Sequence, residues 1–265
     1  MTPRLYQTIA FEQPSAHIGL LRLNRPHVAN AINTEMAGEL LQFFTEMLQP
    51  AAELRCLLVM GSGDRAFCAG GDLKERDGMT DEAWSAQHAI VERVIGAILD
   101  YPFPVIALVN GAAFGGGCEL ALAADFIYAT AGARFALTET HLGIMPGAGG
   151  TQTLPRAVGT RRAIELICAA TPFSAEEALA WGLVNRVLPR DRLLDEALST
   201  AARIAANGPM GVRLAKHSIR AGMEMDIHDG MLAALHDYRQ LIGTHDRREG
   251  VRAFIEKREP AFRGA

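Results

Sequence analysis

Three consecutive glycines, Gly115-Gly116-Gly117, separate an apolar run, Val105 to Val109, from an alanine- and leucine-rich segment that extends to Asp125. Few backbones satisfy that junction. The run has the length and composition of a strand buried on both faces. Glycine tolerates the tight turn and close approach that let a helix begin at once. Such a turn presents backbone N–H groups at the positive end of a helix dipole, where a developing negative charge is stabilised. Glu119 lies in the first turn of that helix. Its neighbours Leu120, Leu122 and Ala123 are apolar, so its carboxylate lies near the interior, where an unpartnered charge is costly. A second carboxylate, Glu139, follows in Phe135-Ala-Leu-Thr-Glu-Thr140, with the Gly-rich segment Pro146 to Thr151 behind it. Taken singly, the glycines read as a packing turn and Glu119 as a helix N-terminal acid. Together they describe carboxylates for acid–base work beside an anion site.

The rest of the chain supplies a frame for that stretch. Leu5 to Phe11 and His17 to Leu23 read as strands, separated by the turn-forming Gln13-Pro14-Ser15. Thr34 is expected to cap a helix whose apolar positions Met36, Leu40, Phe43, Phe44 and Met47 repeat at three- and four-residue steps. Arg55 to Met60 reads as a buried strand, and Arg65 to Leu73 as a glycine-containing loop. The pattern predicts a helix from Thr80 to Leu99 on Trp84, Ile90, Val91, Val94, Ile95 and Ile98. A short helix is expected from Thr160 to Ala169. Ser174-Ala-Glu-Glu177 is a capping box for a helix that stops at Gly182, and Leu183 to Leu188 reads as the last strand. From Asp191 onward the pattern is helical, with breaks near Asn207-Gly208-Pro209, Gly222 and Gly243. Alternating strands and helices predict an α/β fold with a helical C-terminal section. The expected division is a core over residues 1–200 and a helical section over 201–265.

Composition excludes several function classes. With 49% hydrophobic residues, 21% charged residues and a formal net charge of −4, the chain has a globular composition and no general affinity for nucleic acid or anionic membrane. Cys56, Cys68, Cys118 and Cys168 form no metal-ligand spacing and read as buried thiols of a reducing compartment. The start, Met1-Thr-Pro-Arg, lacks the order of a signal peptide, and no apolar run suggests a membrane span; a cytoplasmic location is expected. Gly61-Ser-Gly63-Asp-Arg-Ala66 formally matches a dinucleotide-binding turn, but Phe67 to Asp72 does not suit the helix that must follow. No P-loop, nucleophile elbow or zinc-binding histidine pair is present.

Five segments in order resemble the crotonase, or enoyl-CoA hydratase/isomerase, family along nearly the whole chain. They are Leu23 to Pro26 with Asn30-Ala31-Ile32; Phe67 to Lys74; Asn110 to Asp125; Ile144 to Gln152; and Ala253 to Arg258. The resemblance implies a spiral of β/β/α units followed by helices that assemble trimers, commonly paired into hexamers. It implies that the N–H groups of Gly71 and Gly116 hold the thioester oxygen of an acyl-CoA. The family often has alanine where this chain has Gly71, a difference that leaves a main-chain donor in place. Glu119 and Glu139 fill both carboxylate positions of the family's hydratases, whereas double-bond isomerases often keep only the second. The pair therefore favours syn addition of water, with Glu139 as base and Glu119 holding the water.

By the same resemblance, CoA is gripped by the segments around Arg25 and Ala69, Gly70, Asp72, Leu73 and Lys74, with Gly147 nearby and Lys257 reaching its phosphates, from its own or a neighbouring subunit. No metal or redox cofactor is implied, since coenzyme A is part of the substrate. Phe67 to Arg76, Thr138 to Thr140 and Gly222 to Asp226 most resemble the methylglutaconyl-CoA hydratase branch. That branch implies a 3-branched glutaconyl-CoA, either methylglutaconyl or the longer isohexenylglutaconyl form, in leucine or acyclic-terpene breakdown. Met79, Trp84 and His88 are expected to shape the acyl pocket, and Arg76, Arg134 or His141 to meet a distal carboxylate. The alternatives are a straight-chain hydratase of β-oxidation, an isomerase, and an RNA-binding member. The segment Lys74 to Glu82 has mixed charge rather than the basic stripe that RNA requires.

Overall fold

The computed structural model describes residues 6–47 and 53–265. Leu5, expected to open the first strand, and the side chain of Met47 lie outside the described residues. Strands β1 (Ile9–Ser15) and β2 (Ile18–Leu23) form an antiparallel hairpin, followed by helix α1 (Thr34–Met47) and strand β3 (Cys56–Gly61). From β3 the chain winds in a repeated path. Strands β4 (Ala66–Cys68), helix α2 (Leu73–Arg76) and helix α3 (Asp81–Leu99) complete one turn. Strands β5 (Val105–Val109) and β6 (Ala112–Phe114) with helix α4 (Gly116–Ala123) make the next. Strands β7 (Phe126–Thr130) and β8 (Arg134–Ala136) begin a third, continued by helices α5 (Gly150–Val158) and α6 (Thr160–Cys168). Strand β9 (Phe173–Ser174), helix α7 (Ala175–Ala180) and strand β10 (Arg186–Leu188) close the spiral.

Each turn gives one strand to each of two sheets. The larger has the order β1-β2-β3-β5-β7-β10 and the smaller β4-β6-β8-β9. Strands β3, β5 and β7 pair in parallel, with Met60 opposite Leu108 and Leu108 opposite Tyr128. Their two faces serve two cores. Leu57 and Val59 point into the cluster beneath α1 and α3, while Cys56 and Leu58 point into a second beneath helix α8 (Arg190–Ala206). A strand covered on both sides must be apolar throughout, which explains its unbroken run. Helix α8 spans position 200 and buries Leu193, Ala197, Ala201 and Ala205 against the sheet.

Helices α9 (Pro209–Gly222), α10 (Ile227–Ile242) and α11 (His245–Glu256) follow. Helix α9 is tied to the spiral at Asp125, which accepts from Lys216 Nζ at 2.7 Å, Arg220 Nη2 at 2.8 Å and Val105 N at 2.7 Å.

Several local expectations are corrected. Gln13-Pro14-Ser15 belongs to β1, and the turn is Ala16-His17, with His17 at φ 66°. Proline survives there because β1 is an edge strand whose register slips between Glu12 and Ser15. Asn33, not Thr34, caps α1, accepting from Met36 N at 2.9 Å. The region read as a loop from Arg65 holds β4 and the start of α2. The last strand is shorter than expected, Arg186–Leu188. Cys56, Cys68 and Cys118 are buried but Cys168 is exposed. The capping box at Ser174 and the helix breaks near Pro209, Gly222 and Gly243 are present. No helix among the described residues is long and apolar enough to cross a membrane.

Candidate active site

Strands β4, β6 and β8 run parallel, so their carboxyl ends lie at one edge of the small sheet. Beyond β4 the chain passes through Ala69-Gly70-Gly71; beyond β6 it enters α4 at Gly115-Gly116; beyond β8 it reaches Glu139. This is how groups from three turns of the spiral meet. A cavity of about 460 Å³ opens there, lined by Gly71, Gly116, Glu119 and Glu139 together with Arg76, Trp84 and His88.

The geometry of the two glycines is fixed by their neighbours. Gly70 O accepts from Ile32 N at 2.7 Å and Asp72 N donates to Ile32 O at 2.9 Å. In a strand-like pairing, the N–H of the intervening Gly71 must then point the opposite way, into the cavity. Gly116 is the first residue of α4, so its N–H has no partner within the helix. Gly70, at φ 95°, brings the loops together: a Cβ there would lie 2.8 Å from Phe114 O and 3.3 Å from Gly116 N. A Cβ on Gly117 would collide with the carbonyl of Cys68.

The carboxylates are 3% and 8% exposed for Glu119 and Glu139, respectively. Glu119 Oε1 accepts from Ala148 N and Gly150 N, both at 2.8 Å. Its orientation is therefore set by main chain, and its Oε2 carries any proton. Burial pushes the Glu119 carboxyl up to about 7, opposed by those two N–H groups and reinforced by Glu139. Burial also raises Glu139, while Arg76 acts in the opposite direction. Glu139 Oε2 is buried without a hydrogen-bond partner among the described residues. A buried carboxylate oxygen left without a donor, beside a second carboxyl, is a place for water or a reacting proton.

The expected binding residues divide. Ala69, Gly70, Leu73 and Gly147 line the cavity, as do Arg76, Trp84 and His88. Arg25, Asp72, Lys74, Met79, His141 and Lys257 do not. Arg25 Nη1 donates to Ala31 O at 2.6 Å and to Asp72 Oδ2 at 2.9 Å, and Asp72 caps α2. These two residues brace the Gly71 loop from behind. Lys74, Arg134 and His141 are exposed, and Lys257 ends α11 with φ 53°. Residues that sequence reasoning missed include Leu142, Ile144 and Met145 on the rim and the donors Ala148 and Gly150. Gln87, 3% exposed, is another. Its signal was a polar residue on the apolar stripe of α3, three residues after Trp84 and four before Val91. Among the described residues no group of three or more His, Cys, Asp or Glu is placed to hold a metal ion.

A two-sheet β/β/α spiral with a cavity at the strand ends defines a crotonase-type α/β protein. The enoyl-CoA hydratase from Bacillus anthracis has the same fold, with a TM-score of 0.95, 42% identity, and coverage of 98% of this chain and 100% of that one. A family model described as enoyl-CoA hydratase/isomerase matches residues 13–265. The chain belongs to that family. It is similar to the crotonyl-CoA hydratase of Syntrophomonas wolfei, 39% identical over 97% of this chain and 98% of that one. It is also similar to the mitochondrial methylglutaconyl-CoA hydratase of Mus musculus, 38% identical over 96% of this chain and 82% of that one.

Proposed function

We propose that this chain is an enoyl-CoA hydratase that adds water across the 2,3-double bond of an acyl-CoA thioester. One observation carries the reading: two buried carboxyl groups share a cavity with the N–H groups of Gly71 and Gly116, which have no acceptor among the described residues. Those donors form an oxyanion hole for the thioester oxygen. Losing such a donor typically costs about 2.7–4 kcal/mol of barrier. Glu139, whose charge Arg76 favours, takes a proton from water as the water oxygen bonds to C3. The double-bond electrons move onto the thioester oxygen as an enolate. That charge returns to form a C–H bond at C2 with the proton of Glu119 Oε2. Glu139 is left protonated and Glu119 ionised, and proton exchange through the water site restores the pair. The scheme calls for no metal and no redox cofactor, with coenzyme A entering as part of the substrate.

The acyl group we assign is a 3-branched glutaconyl, methylglutaconyl or the longer isohexenylglutaconyl form. Similarity to the mouse methylglutaconyl-CoA hydratase supports it. So does an outer wall that joins a cation, Arg76, to the apolar Leu142, Ile144 and Met145. Similarity to the Syntrophomonas wolfei crotonyl-CoA hydratase favours a second reading, a straight-chain hydratase.

Assembly as a trimer or a dimer of trimers in the cytoplasm completes the proposal. The apolar side chains of Ile227, Phe254 and Ile255 on the C-terminal helices are 73%, 86% and 74% exposed, which favours coverage by further copies. In such an assembly Lys257 reaches CoA phosphates bound to a neighbour. Loss of conjugated-thioester absorbance across a panel of enoyl-CoAs tests the function. Turnover greatest on the branched glutaconyl members is expected. Equal rates on straight chains would replace the acyl assignment, and no hydration of any member would remove the reading.

A further inference from the structure

Arg76 stands at the end of α2, five residues after Gly71, and its guanidinium packs against that glycine. A Cβ on Gly71 would lie 2.9 Å from both Cζ and Nη1 of Arg76. The group is held on two sides. Its Nε donates to Gln87 Oε1 at 2.7 Å, and its Cζ sits 4.6 Å from the ring centroid of Trp84. Gln87 is itself fixed: its Nε2 donates to Thr34 Oγ1 and to Glu75 Oε2, each at 2.7 Å. Arginine can only donate, so the amide oxygen must face it, and the orientation of Gln87 admits no alternative. Glu75, the adjacent carboxylate, accepts from Gln87 Nε2 and from Thr34 N at 2.9 Å and forms no ion pair with Arg76, acting on it only through space. Among the described residues, Nη1 and Nη2 of Arg76 make no hydrogen bond or ion pair. Against its desolvation, this half-buried guanidinium facing a substrate cavity has only the through-space charges of Glu75 and Glu139, and neither terminal nitrogen is paired with an anion. Its planar fork matches a carboxylate.

We propose that Arg76 selects acyl groups bearing a carboxylate beyond C3, and that Gln87 is the positioning residue that holds its guanidinium toward the substrate. This rests on the hydratase reading of the cavity. It identifies one carboxylate reader among the three basic residues considered from sequence, since Arg134 and His141 are exposed and do not line the cavity.

The test uses glutaconyl-CoA and crotonyl-CoA, which share the enoyl thioester and differ by a terminal carboxylate. The readout is the ratio of their kcat/KM values. Wild-type enzyme favours glutaconyl-CoA; Arg76→Met lowers the ratio about a hundredfold, as expected when the partner of a desolvated charge is removed. Arg76→Lys, which keeps the charge but not the fork, lowers it less. Gln87→Leu lowers it about tenfold, mainly through KM for glutaconyl-CoA. A merely structural role would depress both substrates alike and leave the ratio where it was, which overturns the proposal. Wild-type enzyme that hydrates neither thioester overturns the hydratase reading itself. Should Arg76→Met fail to fold, dissociation constants of glutaryl-CoA and butyryl-CoA for the wild type and Arg76→Lys decide. Equal affinities in the wild type sink the proposal, and a glutaryl preference that weakens in Arg76→Lys supports it.

Discussion

The inner and outer walls of the cavity are made of different material. The inner wall is main chain and buried carboxyl: the N–H groups of Gly71 and Gly116, with Glu119 gripped by two backbone donors at 2.8 Å. The outer wall is side chain: Arg76, Trp84 and His88 on one side, Leu142, Ile144 and Met145 on the other. Leu142 and Met145 are 51% and 65% exposed, whereas Glu119 is 3% exposed. A backbone donor cannot be deleted by ordinary substitution, and its position is set by the sheet. An exposed side chain can be exchanged at little cost to the fold. In the proposed scheme, reaction type and substrate choice therefore rest on separate physical supports, and each can be perturbed alone.

The largest effect should come from the inner wall. Glu139→Gln and Glu119→Gln should each lower kcat by about 10²–10⁴-fold, the range for a general acid or base. Calorimetric titration with a saturated acyl-CoA should find binding nearly unchanged, and full activity in either variant would break the division. Next comes pH. The folded Glu119 carboxyl titrates at about 7 against an ordinary 4.5. The folded state therefore holds an extra proton between those values. The stability tied to it is full below the lower value and lost as pH rises through the upper. Glu119→Gln does not titrate, so relative to wild type it should gain up to about 3 kcal/mol between acid and neutral pH. Denaturant unfolding of both proteins at several pH values measures this, and a constant difference would contradict it.

Gly71→Ala touches both walls with a smaller effect. The N–H donor remains, but the new methyl displaces the Arg76 guanidinium. We expect kcat on crotonyl-CoA to stay within about tenfold and the preference for glutaconyl-CoA to fall by a similar factor. Unchanged preference would mean that Arg76 repacks freely. The smallest change belongs to the rim: Met145→Ser should alter KM for long branched acyl groups by only about threefold, because the side chain is largely exposed. A large kcat effect there would show that the rim shapes the reacting geometry.

The same contrast decided what could be read from sequence. The strand-glycine-helix junction and the two glutamates were legible because main-chain chemistry demands particular residue types at particular spacings. Trp84 falls on the helical period of α3, whereas His88 and the pocket role of both were implied only by the resemblance to the methylglutaconyl-CoA hydratase branch. The small sheet was not legible: Ala66–Cys68, Ala112–Phe114 and Arg134–Ala136 are too short to display a period. Pro14 was misread as a turn because an edge position, invisible in a single sequence, is what permits it. Gln87 escaped notice because its meaning depends on Arg76, Glu75 and Thr34 converging from three elements. Leu142 to Met145 follow no period at all and acquire a role only by facing the cavity.

The unpaired N–H groups also have a consequence for exchange with solvent. Gly71 and Gly116 are half-buried at the cavity wall, yet the described residues give their amide hydrogens no acceptor. In deuterated water they should exchange quickly while the amides of Ile32 and Asp72, hydrogen-bonded beside them, stay protected. An acyl thioester seated in the cavity would supply the missing acceptor and slow both amides together. Two glycine amides from separate turns of the spiral would then report occupancy as a single event, without any turnover.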